Sequence, residues 1–175
     1  MKIGIVSDTH RNKEYLHLVV NWLISKKHIT QLYHLGDDYE DVIDLADKGI
    51  ELVQVPGIYH KNYLDGSLKK THIEHIMGLR ILLVHSFDKD VDANERTMSD
   101  VILFGHTHKA ELKLIDGLLL MNPGHLKSTI DKHEKASFGL LDVQDQNVSA
   151  NIFNLDFEKI MGVELTRTQS GLFKS

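Results

Sequence analysis

Short apolar runs with the length of buried strands are interrupted along the chain by polar breaks. Four of these runs, at residues 3–6, 32–35, 81–84 and 101–104, stop directly at side chains that bind metals well. In an open α/β sheet, ligands collect outside the carboxyl ends of the strands. We therefore expect the four breaks to meet at one rim, where they would bring together Asp8, His10, Asp37, His85, His106 and His108.

The first third of the chain has the pattern strand-helix-strand-helix-strand. Asn12 is typical of a helix cap, and the apolar positions that follow it repeat with a helical period. Strands are predicted at residues 31–35 and 51–55, with a short helix at residues 39–47 between them. Right-handed crossovers of this kind build a parallel sheet. The helical stripe consists of Tyr15, Leu16, Val19, Val20, Leu23 and Ile24.

The second half of the chain changes to strands in succession. Residues 109–115 and 118–122 flank Asp116-Gly117, a strong hairpin signal. Residues 137–143 and 148–154 form another candidate pair, and together the two pairs indicate a second, antiparallel sheet. The predicted fold class is α/β (α+β), a four-layer αββα sandwich of two mixed sheets.

The pattern weakens in two other segments. Residues 58–70 are read as a loop beside the candidate site. Residues 1–155 are predicted to form one domain, and residues 156–175 a C-terminal tail that is either partly disordered or packed on that domain.

Composition narrows the class of protein. The formal net charge of the 175 residues is −5, and there is no long basic run, which argues against a broad nucleic-acid or anionic-membrane surface. The absence of cysteine excludes disulfides and thiolate-zinc sites. No window approaches the roughly 18 apolar residues of a membrane span, and the chain starts on a strand pattern. We expect a cytoplasmic protein with a small substrate; whether it forms a homodimer stays open.

The composition is unusual in its twelve histidines. Most of them stand among polar residues and are expected to be solvated. His34 lies inside a strand run, where it is either a half-buried side chain or a group behind the site. The histidines expected at the surface are His17, His28, His72, His75 and His133.

The breaks differ in how specific their chemistry is. Asp8 with His10 is weak alone, since Asp8 also suits a turn or helix cap. Gly36-Asp37 is a common turn, and a histidine ending a strand, such as His85, needs no metal. Two imidazoles two residues apart after a buried strand, as in residues 105–108 (Gly-His-Thr-His), are hard to explain by packing. Imidazole with carboxylate ligands favours manganese, iron, nickel or zinc.

With these residues the chain resembles the calcineurin-like metallophosphoesterases, in particular the small single-domain phosphodiesterases of bacteria and archaea. The resemblance spans nearly the whole domain and includes a late Asn122-Pro123-Gly124 turn. It implies two divalent transition-metal ions, manganese first, with nickel, iron or zinc as alternatives. By the resemblance, one ion would be held by Asp8, His10, Asp37 and His108. The other would be held by Asp37, His85 and His106, so that Asp37 bridges.

One motif departs from the family pattern. Where the family has Gly-Asn before an acidic residue, this chain has Gly57 followed by Ile58, whose alkyl group cannot bind a metal. The missing ligand is then replaced by His60, by Asn62 or by water. A second departure is His125, which either faces the site or is an ordinary turn residue.

The mechanism implied is phosphoester hydrolysis by a hydroxide that bridges two ions roughly 3.5–4 Å apart. Asp37 would serve both ions. His60 would give the leaving group its proton, because Tyr59 has an unperturbed pKa of about 10. A phosphodiesterase is the first expectation. A phosphomonoesterase on the same site and a non-catalytic binding or scaffold protein with a degenerate second metal site are the alternatives.

Overall fold

Two mixed β-sheets form the centre of the protein. The computed structural model describes residues 1–169 and 171–175. In chain order the strands are β1 (Lys2–Val6), β2 (Gln31–His34), β3 (Glu51–Gln54), β4 (Thr71–Ile76), β5 (Leu79–Val84), β6 (Val101–Leu103), β7 (Glu111–Ile115), β8 (Leu118–Asn122), β9 (Ile130–Asp131), β10 (Glu134–Lys135), β11 (Ser137–Val143), β12 (Asn147–Asn154), β13 (Lys159–Thr168) and β14 (Gly171–Lys174). The first sheet has the order β14-β13-β12-β11-β1-β2-β3, the second β4-β5-β6-β8-β7, and β9 pairs with β10 apart from both.

The helices are few and short. The first is capped as predicted, since the Asn12 side chain accepts a hydrogen bond from the Tyr15 amide at 3.1 Å. Its apolar stripe is buried through Leu16, Val19 and Val20. The helical segments are α1 (Lys13–Trp22), a π-helical turn (Leu23–Lys27), a 3-10 helix (Tyr39–Lys48), α2 (Lys61–Leu64), α3 (Phe87–Asp90) and α4 (Ala93–Met98).

Strand alternation divides the apolar side chains into layers. One face of each sheet meets the other sheet, so Ile5 of β1 and Leu103 of β6 belong to the same core. On the outer face of the first sheet, Val6 packs with residues of α1 and the 3-10 helix. Phe87 at the start of α3 packs on the outer face of the second sheet. The αββα sandwich of two mixed sheets is confirmed.

Both hairpins are confirmed as antiparallel pairs, but they do not build one sheet. β7 pairs with β8 and β11 pairs with β12. β8 then pairs in parallel with β6 in the second sheet, whereas β11 pairs antiparallel with β1 in the first. The expectation that both pairs form a separate antiparallel sheet is therefore wrong. A hairpin signal is local, and it carries no information on which strand pairs with the hairpin's outer edge.

The C-terminal strands β13 and β14 extend the first sheet. β13 pairs with β12, and β14 pairs with β13. Leu165 and Leu172 are fully buried between the sheets. The segment lacks a clear pattern because β13 is exposed or half-buried along most of its length.

β4 and α2 are two of the elements that the sequence pattern did not predict. β4 is a largely polar edge strand that pairs antiparallel with β5. Residues 58–70, read as a loop, contain the short helix α2, whose N-cap is His60. Both elements lie beside the loops that carry the candidate ligands.

Candidate metal centre

The predicted ligands lie where parallel strands end. β1 and β2 run parallel in the first sheet and end before Asp8 and Asp37. β5 and β6 run parallel in the second sheet and end before His85 and His106. The Gly105 amide donates to the His85 carbonyl at 3.0 Å, which keeps the two loops of the second sheet together. Contacts of His85 with Asp37 and of the His106 amide with Asp8 join the loops of the two sheets at one rim.

Backbone conformation sets these residues apart. Five of them have positive φ, a region that residues other than glycine adopt rarely. Such conformations persist where the surrounding structure enforces them, and they concentrate at functional sites. The φ angles are 52° at Asp8, 46° at His10, 73° at Asp37, 70° at His106 and 65° at His108.

Four side chains converge on one point. Asp8, His10, Asp37 and His108 each offer a donor atom, and these atoms all lie within 4.8 Å of one another. His10 Nε2 is 2.7 Å from Asp37 Oδ2, and His108 Nε2 is 3.2 Å from Asp8 Oδ1. The two Nε2 atoms are themselves 3.2 Å apart. Two carboxylate oxygens and two imidazole nitrogens at such distances form a donor set that suits a transition metal.

A second group shares Asp37 with the first. His85 Nε2 lies 3.1 Å from Asp37 Oδ1, and the His106 ring stands edge-on to the His85 ring, with centroids 5.2 Å apart. His85 Nδ1 is 2.7 Å from the Leu35 carbonyl, to which it donates, so Nε2 is free to act as a ligand. Asp37 therefore turns one carboxylate oxygen toward each group. This second group contains three side chains, of which His85 is fully buried.

Unsatisfied buried atoms test whether these residues fit a cation. Asp8 Oδ1 and His85 Nε2 are buried and have no hydrogen-bond partner. The other oxygen of Asp8 accepts hydrogen bonds from Ser7 Oγ at 2.5 Å and from the His106 amide at 3.0 Å. Buried polar atoms are rarely left without partners, and an absent ion is one explanation for an exception. Since each orphaned atom faces its own group of ligands, the residues present fit metal ions.

Electrostatics agree with this interpretation. Burial by itself raises the pKa of Asp37, but its close contacts with the His10 and His85 imidazoles outweigh burial and hold that pKa well below its usual range. The hydrogen bond to Asp37 raises the pKa of His10. Burial opposes the same effect at His85, yet Asp37 and the charge of Asp8 leave its pKa raised. The two aspartates thus favour positive charge at this place, which a divalent cation would supply.

Two glycines allow the loops to approach this closely. A Cβ atom on Gly105 would lie 2.0 Å from Ser7 Oγ and 2.7 Å from Asp8 Oδ2. A Cβ atom on Gly57 would lie 2.5 Å from the Asp37 Cα. Real Cβ atoms do not approach other heavy atoms so closely. The loop after β3 therefore lies directly against the residue shared by the two groups.

The departure from the family pattern occurs in that same loop. Ile58 is buried, with 3% of its surface exposed. His60 Nδ1 accepts a hydrogen bond from the Asn62 amide at 3.2 Å, and its Nε2 lies 3.1 Å from Glu40 Oε1. Both ring nitrogens of His60 are therefore engaged away from the four-residue group. His60 still lines a cleft of about 630 Å³ together with His10 and Asp37.

His125 is buried behind the site and does not sit on an exposed turn. Its ring centroid is 5.3 Å from that of His108, and its Nε2 lies 3.1 Å from the Glu134 carbonyl. Burial lowers the pKa of His125. The His125 ring therefore packs against a candidate ligand from behind.

His34 is fully buried and supports the first loop. Its Nε2 is 3.2 Å from Thr9 Oγ1, and the Thr9 hydroxyl donates to Asp41 at 2.5 Å. Asp41 also accepts a hydrogen bond from the Arg11 amide at 2.8 Å. Burial lowers the pKa of His34 to about 4. These contacts hold the backbone on both sides of His10.

Two residues support the ligand loops in ways that the sequence pattern did not predict. Asn122 donates to the Gly105 carbonyl at 2.9 Å and to Thr107 Oγ1 at 3.0 Å, so the Asn-Pro-Gly turn holds the loop of His106 and His108. Asp131 contacts His108 directly, and hydrogen bonds from Lys127 and His108 lower the pKa of Asp131 to about 2. The Asn-Pro-Gly motif signalled the first of these. Nothing in the local sequence signals the second.

Comparison with known proteins agrees with the fold. A phosphodiesterase of Methanocaldococcus jannaschii is 25% identical over 142 residues, which cover 71% of this chain and 83% of that protein. The phosphoesterase YfcE of E. coli is 20% identical with a TM-score of 0.72, over 93% of this chain and 98% of that one. Vacuolar protein sorting 29 of Cryptosporidium parvum is 19% identical with a TM-score of 0.73, over 95% and 98% of the two chains.

Within the described residues, no helix is long and apolar enough to cross a membrane.

The sequence profile of the calcineurin-like phosphoesterase superfamily domain matches residues 1–146, most of the chain. That match covers the two strand-end aspartates and all four histidines of the groups described above. The chain therefore belongs to the calcineurin-like phosphoesterase superfamily.

Proposed function

We propose that this protein is a metal-dependent phosphodiesterase with two divalent transition-metal ions, manganese first among them. The observation that carries the proposal is the convergence of Asp8, His10, Asp37 and His108 within 4.8 Å, with a buried oxygen of Asp8 left unsatisfied. These four would hold one ion. Asp37, His85 and His106 would hold the other. When bound, such ions lower the pKa of a water molecule and neutralise charge on the phosphate.

The chain itself contributes rigid placement. Asp37 is oriented from both sides by His10 and His85, so its carboxylate is held ready to bridge. Asp8 is fixed by Ser7 and by the His106 amide. Preorganised ligands of this kind need no rearrangement when charge develops on the substrate.

We further propose a small phosphoester substrate and a cytoplasmic location.

Two clefts adjoin the candidate site, and they favour a diester over a monoester. One, of about 630 Å³, opens at His10 and Asp37 and is lined by basic and acidic side chains: Arg11, Lys61, Asp38 and Glu40. The other, of about 390 Å³, opens at His106 and is lined by aromatic and basic side chains. A phosphodiester has a substituent on each side of the phosphorus atom and needs room for both. The second cleft includes Phe87, Arg96, Phe104, Lys109 and Lys113.

Hydrolysis assays test the proposal directly. Protein loaded with Mn²⁺ is expected to hydrolyse bis(4-nitrophenyl) phosphate faster than 4-nitrophenyl phosphate, and EDTA is expected to abolish both reactions. A preference for the monoester would favour the phosphomonoesterase alternative. Metal binding without turnover of either ester would favour a non-catalytic binding protein, the candidate that the loss of a family ligand at Ile58 supports.

His60 is proposed to protonate the leaving group. It lines the same cleft as Asp37, and its partner Glu40 is 60% exposed, so the carboxylate can turn to water and free Nε2. His60→Ala is expected to lower kcat by roughly 10²–10⁴-fold without changing Mn²⁺ affinity. The loss should be smaller for a nitrophenyl ester than for an alkyl ester, whose leaving group needs the proton more.

Glu40→Gln is the matched control for His60, since it changes the partner and keeps the imidazole. If His60→Ala weakens Mn²⁺ binding, His60 is a ligand that replaces the family asparagine. Full activity of His60→Ala toward an alkyl diester would contradict both roles.

Restoring the family residue is expected to strengthen the second metal site. Because Ile58 follows Gly57 in the loop that lies against Asp37, we expect an Ile58→Asn side chain to add an amide oxygen near the second group. Burial of the amide without an ion costs about 1–3 kcal/mol, so the metal-free variant should melt earlier. Mn²⁺ should restore its melting temperature, and activity at limiting Mn²⁺ should rise above that of the unchanged chain.

Ile58→Thr provides the comparison for this variant, since it introduces a polar group of smaller reach at the same buried position. If Ile58→Asn and Ile58→Thr respond equally to Mn²⁺, the loop does not contribute a ligand, and water completes the second site.

A further inference from the structure

The small hairpin of β9 and β10 places a carboxylate against the back of a candidate ligand. Asp131 Oδ2 lies 2.6 Å from His108 Nδ1, on the side of the ring opposite the Nε2 atom that faces Asp8. The His108 side chain is 5% exposed and that of Asp131 is 17% exposed. The contact is therefore short and largely shielded from water. It joins residues 23 positions apart in the chain.

The second oxygen of the same carboxylate is also engaged. Lys127 Nζ lies 2.8 Å from Asp131 Oδ1. One oxygen therefore serves the imidazole and the other serves the ammonium group, which leaves the carboxylate little freedom to rotate. Ion pairs at the surface contribute little by themselves, and Lys127 is 39% exposed. The Lys127–Asp131 ion pair by itself therefore contributes little to the stability of the hairpin over His108.

A second contact from this hairpin acts on His108 indirectly, through the His125 ring. The Glu134 carbonyl lies 3.1 Å from His125 Nε2, and the His125 ring packs against His108 at an interplanar angle of 33°. Glu134 stands opposite Asp131 in the β9–β10 register. The hairpin thus supports His108 through a side chain on one strand and a backbone carbonyl on the other.

We propose that Asp131, anchored by Lys127, is a positioning residue that fixes His108 as a metal ligand. The carboxylate accepts a hydrogen bond from Nδ1–H of His108. This selects the tautomer in which the Nε2 lone pair points at the four-residue group. Partners of this kind orient a ligating histidine and increase its basicity, and their loss typically costs 10–100-fold in metal affinity. The inference rests on the proposed metal site, and it assigns a role to a residue outside the family motifs.

Metal titration tests this role without any substrate. Mn²⁺ is titrated into the metal-free protein by calorimetry for the unchanged chain and for Asp131→Asn, Asp131→Ala and Lys127→Met. Asp131→Ala is expected to weaken binding at the tighter site by roughly 10–100-fold. The Mn²⁺ affinity of Asp131→Asn should lie between those of the unchanged chain and Asp131→Ala, because its amide oxygen can still accept a hydrogen bond from Nδ1–H. Lys127→Met should have the smallest effect, since it only frees the carboxylate to rotate.

Glu134→Gln is the matched control, because Glu134 reaches the site only through its backbone carbonyl. Its Mn²⁺ affinity should equal that of the unchanged chain. A loss as large as that of Asp131→Ala would mean that any change in the hairpin weakens the site, and would overturn the proposal. Should Asp131→Ala fail to fold, Asp131→Asn, which preserves volume, carries the test, and unchanged affinity in that variant then overturns the proposal.

An NMR measurement separates orientation from simple structural support. In the metal-free protein, long-range ¹H–¹⁵N spectra of the imidazoles should show His108 as the Nδ1–H tautomer. Asp131→Ala should shift that ring toward a mixture of tautomers while the other histidines keep their signals. Retention of the single Nδ1–H form in Asp131→Ala would overturn the assigned role.

The proposed function and this inference can fail separately. A protein that binds Mn²⁺ but hydrolyses no phosphoester would contradict the proposed function and leave the role of Asp131 intact. Equal Mn²⁺ affinity in Asp131→Ala and the unchanged chain would contradict the role of Asp131 and leave the phosphodiesterase proposal intact.

Discussion

Asp37→Asn is expected to abolish nearly all metal-dependent hydrolysis while the protein keeps its fold. Asp37 offers one oxygen to the group of His10 and the other to the group of His85, so its loss weakens both ion sites. The decrease in kcat/KM should exceed the roughly 10–100-fold that loss of an outer-shell partner costs. The fold should survive because asparagine, like aspartate, tolerates the φ of 73° at this position.

The measurements are steady-state hydrolysis of a diester with saturating Mn²⁺ and thermal melting of the metal-free protein. Asp116→Asn is a matched control, since Asp116 also has a positive φ of 50° but lies in the turn between β7 and β8. That variant should retain activity. Near-normal turnover in Asp37→Asn would refute the two-metal mechanism.

Removal of His106 and His108 together is expected to eliminate stable metal binding. The double change to alanine takes one imidazole from each group and leaves the first with Asp8, His10 and Asp37. Imidazole nitrogen is the donor that favours transition metals over magnesium or calcium. After loading with Mn²⁺ and dialysis, elemental analysis should find the metal in the unchanged chain and almost none in the variant.

A double change of His72 and His75 to alanine controls for loss of two histidines in general. Both lie on the edge strand β4, and neither belongs to the two ligand groups. Its metal content should match that of the unchanged chain. Unaltered metal content in the His106/His108 variant would show that the metal binds outside the two ligand groups.

Much of the fold could be predicted from local pattern. The runs that became β1, β2, β5 and β6 were visible because buried parallel strands are apolar along their whole length. Asn12 marked the start of α1 because capping depends on a side chain and an amide three residues apart. Pairing between distant strands has no such local signal, which is why the β11–β12 hairpin was assigned to the wrong sheet and the strands of residues 156–175 were missed.

The sequence by itself determined which residue types stand at the ends of the strands, and hence the family and the donor atoms of the candidate site. These features are local, since an apolar run followed by aspartate or histidine can be read from a few neighbouring residues. Only the tertiary structure decided how the side chains meet. His10 and His108, 98 positions apart, face each other at 3.2 Å because strands of two different sheets end at the same rim.

The tertiary structure also decided the support around the site. Asp131 reaches His108 only because the β9–β10 hairpin folds over it, and the loop of Ile58 meets the site only because Gly57 lies against Asp37. The left-handed backbone at the candidate ligands depends in the same way on contacts that surround them. The sequence gives the identity of each side chain, but the direction in which it points depends on long-range packing. A metal site requires both.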